Sequence, residues 1–419
     1  MQTIVVISAM DCYGWWHETN SRCFMLTVNL SDVAVTSAGG SQWTAAQMAS
    51  LATAARPEAP IIGRDDLLRA IAGLTLWDIW PVQHDNGSVA AVAGGHLWVV
   101  LSAPRRADPD ARHNEARLRL LHCVDDQWHD CGDLLPDGFS PGSREWSGST
   151  RLDADSGAVT LWFTATGRRG ETANSYEQRL FHATGKLDLT GPQPRVTQWQ
   201  DLTQSVVSDG RLYADVATNA PIGGLIKGFR DPYWFRDPAD NKGYLLFTGS
   251  APDGADAVNY DGVIGIAAAD DDAGLTFALR APLVDASGLA HELELPHLIV
   301  RDGLYYLFWS TQAHVFAPDG PRGPTGLYGM VAPSLFGPYQ PLNGSGLVLA
   351  NPQSEPRQAY GWKVLPSLEV ISFVDFWGLN GADIDADPAL RARHFGGTIA
   401  PMVTIAVEGA TTRIVASHT

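Results

Sequence analysis

Short runs of β-forming residues recur along more than 300 residues of this chain, with no helix-patterned segment between them. His96–Ser102, Arg117–Val124, Ala158–Thr164, Gln178–His182, Leu212–Val216, Tyr244–Thr248, Val263–Ala267, Leu304–Trp309, Leu327–Val331, Val370–Val374 and Met402–Val407 are filled with Val, Ile, Tyr, Phe, Trp and Thr. Turn chemistry bounds them, as at Asn86-Gly87, Asp209-Gly210 and Asp302-Gly303. This pattern excludes a parallel α/β fold, which needs a helix between successive strands. A sandwich of ordinary size would not use so many strands. A β-propeller would, because radial repetition of four-stranded blades leaves few exposed edges. No fixed-period dipeptide marks the blades, and no break in composition marks a linker, so residues 1–419 read as one domain.

Helical signals are confined to the first fifth of the chain. Thr44 and Gln47 form a capping-box pattern ahead of Thr44–Ala55, and Asp65-Asp66 opens a second short apolar segment, Leu67–Ile71. The expected architecture is therefore all-β, a propeller with a short helical N-terminal segment, on which residues 1–42 pack as an extension.

Charge narrows the partners. Twenty-nine Lys and Arg face 46 Asp and Glu, a net of −17, and no basic cluster offers contacts to a phosphate backbone. Nucleic acid is excluded on that ground. No apolar stretch approaches the length of a membrane span, which excludes a membrane partner. The four cysteines, Cys12, Cys23, Cys123 and Cys131, lack any Cys-x-x-Cys, and the twelve His lack a His-Glu-x-x-His, so neither a metal nor another cofactor is expected. Sequence leaves their disulfide status open.

Three carboxylate segments stand apart because their neighbours are apolar or aromatic. Asp78 lies in Leu76-Trp77-Asp78-Ile79-Trp80-Pro81, Asp231 in Phe229-Arg230-Asp231-Pro232-Tyr233, and Glu292 and Glu294 in His291-Glu292-Leu293-Glu294-Leu295-Pro296. A carboxylate in such a frame is hydrogen-bonded, ion-paired or functional. Alternation puts Glu292 and Glu294 on one face of an extended segment. Any one of these could be a buried ion pair or a strand-end cap. Together, in a chain with 14 Trp, they match glycosidic-bond chemistry. One carboxylate attacks or stabilises an oxocarbenium-like carbon, and another holds a proton near neutral pH because burial and like charges raise its pKa. Trp supplies flat surfaces for sugar rings.

At these residues the sequence resembles glycoside hydrolase family 68, the levansucrases, inulosucrases and β-fructofuranosidases. The motifs are Trp77-Asp78-Ile79-Trp80-Pro81-Val82-Gln83, Arg144-Glu145-Trp146-Ser147-Gly148-Ser149, Phe229-Arg230-Asp231-Pro232, Glu292-Leu293-Glu294-Leu295-Pro296 and Phe395-Gly396-Gly397-Thr398, in the family's order. The resemblance implies a five-bladed propeller with a deep axial pocket. It implies sucrose as donor and fructosyl acceptors as partners. Asp78 would be the nucleophile, Glu294 the acid/base and Asp231 the transition-state stabiliser. Trp77, Trp146 and Arg230 would line the fructosyl pocket, Ser147 would orient the nucleophile, and Glu292, Gln312 and Tyr360 would stand on the glucosyl or acceptor side.

Three departures from the family pattern bear on the site. Where the family commonly places Arg or His on the acceptor side, Ser310-Thr311-Gln312-Ala313-His314 offers Gln312, which bears on acceptor choice and polymer formation. Leu295 follows the acid/base where many members have Arg. His291 precedes the Glu-x-Glu segment where Gram-positive members carry a calcium-binding Asp, so no structural calcium is expected. The resemblance also implies action outside the cell, although Met1–Met10 has no Lys or Arg ahead of its apolar run and makes a poor signal peptide. The competing readings are a mainly hydrolytic β-fructofuranosidase, an inverting arabinofuranosidase-like propeller and a non-catalytic sugar-binding propeller.

Overall fold

Five antiparallel meanders make up the bulk of the described residues. Blade 1 consists of Leu74–Gln83, Gly95–Pro104, Arg117–Val124 and Gln127–Asp133. Blade 2 consists of Arg144–Leu152, Ala158–Thr166, Gln178–Asp188 and Arg195–Val206. Blade 3 is built from Phe229–Arg236, Gly243–Ser250, Gly262–Ala269 and Phe277–Asp285. Blade 4 is built from Glu294–Arg301, Leu304–Thr311 and Gly326–Ala332, with Gln340–Pro341 and Leu347–Ala350 both pairing to the third strand. Blade 5 runs from Ala359–Val364 through Glu369–Phe376 to Val403–Glu408 and Thr411–Ser417, with Phe395–Ile399 on its second strand. Parallel pairing of Val82 with Thr150 and Gln83 with Arg151 joins blades 1 and 2 into one sheet. The computed structural model describes residues 40–67, 71–217, 225–252, 260–271 and 273–417.

The first strand of each blade lies innermost. Each of these five packs against the next, and the fifth returns to the first, which closes a ring. Sheets cover both faces of an inner strand, so Leu74–Gln83 is buried almost throughout and does not alternate. Outer strands face solvent, and Arg195–Val206 is correspondingly polar and mostly exposed or half-buried. Aromatic side chains fill the wedges between blades. Trp162 of blade 2 stacks on Trp234 of blade 3 with ring centroids 4.8 Å apart. Trp43 packs edge-on against Trp309 at 5.2 Å and donates its indole N–H to the Ser345 carbonyl. Ring closure between blades 5 and 1 is pinned by Arg105, which donates to the Phe395 and Gly396 carbonyls at 2.8 and 3.0 Å.

One backbone irregularity recurs in all five inner strands. The pairing register breaks between Trp77 and Ile79, Trp146 and Gly148, Arg230 and Tyr233, Glu294 and His297, and Tyr360 and Lys363. Four of these bulges carry a residue of positive φ: Asp78 (44°), Asp231 (60°), Leu295 (54°) and Gly361 (66°). A bulge re-aims one side chain out of the pleat, and such strain concentrates at functional sites. The internal repeat is therefore conformational, and different residues carry it in each blade.

Some sequence expectations are corrected. Leu212–Val216 is not a strand, because the Asp209 carboxylate accepts the Arg211, Leu212 and Tyr213 N–H groups at 2.9, 2.7 and 3.3 Å and holds the chain in a turn. Helix is not confined to the first fifth, since Pro388–His394 is helical, capped by Asp387 with Pro388 in its first turn. The capping box of Thr44 and Gln47 forms, but its helix is only Ala45–Ala49, followed by a 3₁₀ turn at Ser50–Ala52. A 3₁₀ turn at Arg64–Asp66 precedes Leu67, and residues 68–70 of the second helical segment lie outside the described residues. Ser41–Gln42 pairs with Val284 and Asp285 at the outer edge of blade 3. The rest of the N-terminal extension, residues 1–39 with Cys12 and Cys23, lies outside the described residues, while Cys123 and Cys131 are free thiols.

Candidate active site

The inner-strand bulges open into a cavity of about 650 Å³ at one end of the propeller axis. Trp77, Asp78, Trp146, Ser147, Arg230, Asp231, Glu292 and Glu294 all line it. Blades 1 to 4 thus place the sequence-nominated acids, aromatics and arginine around one space.

Asp78 is held from blade 2, where the buried Ser147 hydroxyl donates to its Oδ2 at 2.9 Å. On its other side Gly361 of blade 5 comes close enough that a Cβ there would stand 2.7 Å from Oδ1. Burial, reinforced by Asp231 and Glu294 as like-charged neighbours, pushes Asp78 up to about 7 against the opposing Ser147 hydroxyl and Arg112 guanidinium. Asp231 is tied down more heavily. Its Oδ2 accepts the Thr248 hydroxyl at 2.9 Å and the Leu295 N–H at 3.2 Å, while its own N–H donates to Thr164 Oγ1 at 3.0 Å. Burial, with a further push from Glu294, still lifts Asp231 to about 6.

Arg230 organises the opposite wall. Its Nη2 lies 2.9 Å from both Glu292 Oε1 and Glu294 Oε1, and its Nη1 donates to Gln178 Oε1 at 3.3 Å. A guanidinium suits this because its fixed fork engages several acceptors at once. Burial raises Glu292 although Arg230 opposes it. Tyr360 donates its hydroxyl to Glu294 Oε2. Burial and the surrounding carboxylates hold that phenol well above its ordinary range, so it remains a donor. Glu294 is thereby fixed at both oxygens.

Two nominated residues do not line the cavity: Tyr360, which acts on it only through Glu294, and Gln312. Gln312 is half-buried at the start of a 3₁₀ turn, Ala313–Val315. His314, two residues on, is the member of that turn in electrostatic contact with Glu294 and Arg357. Glu145, although inside a family motif, is structural. It is buried and accepts the Leu118 N–H at 2.8 Å beside Arg117. His291 bonds through Nε2 to the Ile226 carbonyl at 2.8 Å. Among the described residues no cluster of three His, Cys, Asp or Glu side chains is arranged to hold a metal ion.

Sequence reading missed one wall altogether. The 3₁₀ segment Pro109–Asn114, inserted between the second and third strands of blade 1, brings Asp110, His113 and Asn114 to the cavity. Within it Arg112 lies 3.6 Å from Asp375 and stacks its guanidinium 4.9 Å from the Phe395 ring, which anchors the insertion to blade 5. His113 meets the Trp77 ring edge-on at 5.8 Å. The Asp108-Pro109 pair was the only local signal of this turn, the aspartate accepting the Asp110 N–H at 3.0 Å. Gln178, which also accepts the Phe229 N–H at 3.0 Å, carried no signal.

Comparison with known proteins agrees with this geometry. The family model described as Levansucrase/Invertase matches residues 33–262 and 251–418. Levansucrase LscA of Pseudomonas savastanoi pv. glycinea is 31% identical over 80% of this chain and 84% of its own length. A levansucrase of Zymomonas mobilis subsp. mobilis is 34% identical over 80% of each chain. Among solved structures, an inulosucrase from Halalkalicoccus jeotgali bound to kestose superposes with a TM-score of 0.83 at 35% identity, covering 91% of this chain and 96% of that one. With four motifs in order at the inner strands of blades 1 to 4, the fifth on Phe395–Ile399 of blade 5, and the match running nearly end to end, the chain belongs to the levansucrase/invertase family, glycoside hydrolase family 68, as a fructosyltransferase.

Proposed function

We propose that this chain cleaves sucrose with retention and transfers the fructosyl unit to a sugar acceptor or to water. One observation carries the reading. Asp78, held by Ser147, and Glu294, held by Arg230 and Tyr360, face a single cavity from different blades. In the first half-reaction Asp78 attacks the anomeric carbon of the fructosyl unit. Glu294 gives its proton to the glucosyl oxygen as that bond breaks, and glucose leaves. In the second, Glu294 takes a proton from an acceptor hydroxyl or water, whose oxygen displaces Asp78 from the same carbon. Asp231, immobilised by Thr248 and the Leu295 N–H, accepts fructosyl hydroxyls and stabilises the oxocarbenium-like transition state. Trp77 and Trp146 supply the flat walls. A covalent intermediate of finite life is what lets a sugar compete with water.

Incubation of the pure protein with sucrose tests this. Glucose in excess of free fructose is the expected result, with the missing fructose in oligosaccharide or polymer. Equal amounts at every sucrose concentration would make the chain a hydrolytic β-fructofuranosidase. Unchanged turnover in Asp78→Asn and Glu294→Gln would overturn the catalytic assignment, and no turnover by the wild-type protein would leave only a sugar-binding propeller. The same reading has the enzyme acting outside the producing cell, so activity belongs in the culture medium rather than the lysate.

A further inference from the structure

The inner strands have a second end that the proposed chemistry does not use. Asp78, Asp231 and Glu294 lie towards the start of Leu74–Gln83, Phe229–Arg236 and Glu294–Arg301. The far ends of those strands, with the end of Ala359–Val364, line a separate cavity of about 480 Å³. The two cavities share no lining residue. Asn86, Pro238 and Asn241 are exposed at the mouth of the second, whereas Lys363, also on its wall, is only 5% exposed.

The Lys363 ammonium faces this space without an acceptor. It stands 4.7 Å from the centre of the Tyr233 ring, and among the described residues it makes no hydrogen bond and no ion pair. An ammonium carries three N–H donors, and one ring face does not satisfy them all. A charge buried in this way is strongly disfavoured unless an acceptor reaches it.

Its neighbours do not supply one. From blade 4, His297 Nε2 accepts the Val364 N–H at 2.8 Å and Nδ1 lies 2.9 Å from the Leu295 carbonyl. Burial together with the Lys363 charge holds that ring neutral, at about 3. From blade 3, Tyr233 is a phenol raised to about 12 by burial, and its hydroxyl donates to the Leu298 carbonyl at 3.4 Å. The Gln83 amide of blade 1 donates to the Trp234 carbonyl at 3.3 Å and to the Tyr233 oxygen. Asp85, the one carboxylate on the lining among the described residues, is engaged by Arg236 at 2.7 Å and Arg151 at 3.2 Å. Asp231 and Asp78, on the active-site side, act on Lys363 only through space, and burial still lowers it to about 8.

The wall is therefore electropositive within an acidic protein. Lys363 and Arg236 set two cations against the single carboxylate of Asp85, in a chain whose net charge is −17. Unused charged donors deep in a cavity of ligand-binding size are the chemistry that recognises anionic oxygen.

We propose that this second axial cavity binds a small oxyanion, whose oxygens accept hydrogen bonds from the Lys363 ammonium. The site is distinct from the catalytic one and does not depend on the fructosyl-transfer reading.

Sodium sulfate, whose charge is constant between pH 7 and pH 9.5, is the probe. Isothermal titration in a chloride-free buffer at pH 7 is expected to show one saturable site on the wild-type protein. Lys363→Met keeps the length of the side chain but not its charge, and is expected to bind roughly tenfold more weakly or worse. Its thermal melt should show only the unsaturating rise that sulfate gives any folded protein, where wild type adds a saturable one. The wild-type protein supplies a second arm that needs no variant. Its affinity should fall by roughly 30-fold from pH 7 to pH 9.5 as the ammonium loses its proton. No saturable binding to wild type would overturn the proposal and leave the cavity a water-filled end of the propeller axis. Binding that Lys363→Met retains, or that persists undiminished at pH 9.5, would place the anion elsewhere and overturn it equally.

Discussion

Gly361 and Asp78 stand so close that the Asp78 Oδ1 occupies the space any side chain at 361 would need, 2.7 Å from the Cβ position. The glycine also has φ of 66°, in the left-handed region. Gly361→Ala is therefore doubly penalised, by strain of about 1 kcal/mol and by a clash that displaces the Asp78 carboxylate. A loss of kcat on the order of 100-fold is expected, with a lowered melting temperature but an intact fold. Wild-type kinetics in that variant would mean the close approach plays no part.

Arg230→Lys keeps the charge but loses the fork that spans Glu292, Glu294 and Gln178. A single ammonium cannot hold both glutamates and the amide, so kcat/KM is expected to fall by about two orders of magnitude. Steady-state kinetics on sucrose decide it. A change below threefold would show that charge alone suffices.

Asp78 also links activity to stability. Its folded-state value near 7 lies above the ordinary 3.8, so between those limits the native protein holds more protons than the unfolded chain. Its contribution is favourable at low pH and is lost as pH rises from about 4 to about 7. Asp78→Asn removes this burden. The variant should be inactive yet more stable at pH 7 by on the order of 1–2 kcal/mol, a gain that fades towards pH 4. Denaturant titrations at the two pH values measure it, and an equal effect at both would contradict the linkage.

The pH profile of kcat/KM should be bell-shaped, since one acid must be ionised and another protonated. With Asp78 near 7 and Asp231 near 6, the acid limb falls between those values and reports the coupled cluster rather than one residue. A rate that climbs steadily through pH 9 would oppose the pairing of Asp78 with Glu294.

The middle strands of the blades were legible because their hydrophobic runs end in turn residues, and Arg117–Val124 matches its expected bounds. The inner strands were legible only as motifs. Charged residues at their bulges and burial on both faces erase the two-residue alternation, so Leu74–Gln83 does not read as a strand. Gln127–Asp133 and Arg195–Val206 escaped for the opposite reason, being polar outer strands. Asp78, Asp231 and Glu294 could be read because an acid among Trp, Phe and Leu is costly unless engaged. Gln178 and Thr248 could not, because their importance lies in what blades far apart in sequence bring to them. Pro109–Asn114 shares that fate, since only its anchoring to Asp375 and Phe395 sets it against the cavity.

The five register breaks of the inner strands belong to five different hydrogen-bond ladders. Replacing the side chain at one of them leaves the other four ladders as they were, so donor, acid or base can be exchanged singly during divergence without recasting the barrel-like frame. The converse is a shared vulnerability. In the proposed reaction attack and proton donation come from first and fourth blades that meet only through the ring, and loosening the seam at Arg105 would silence that chemistry before any single sheet had melted.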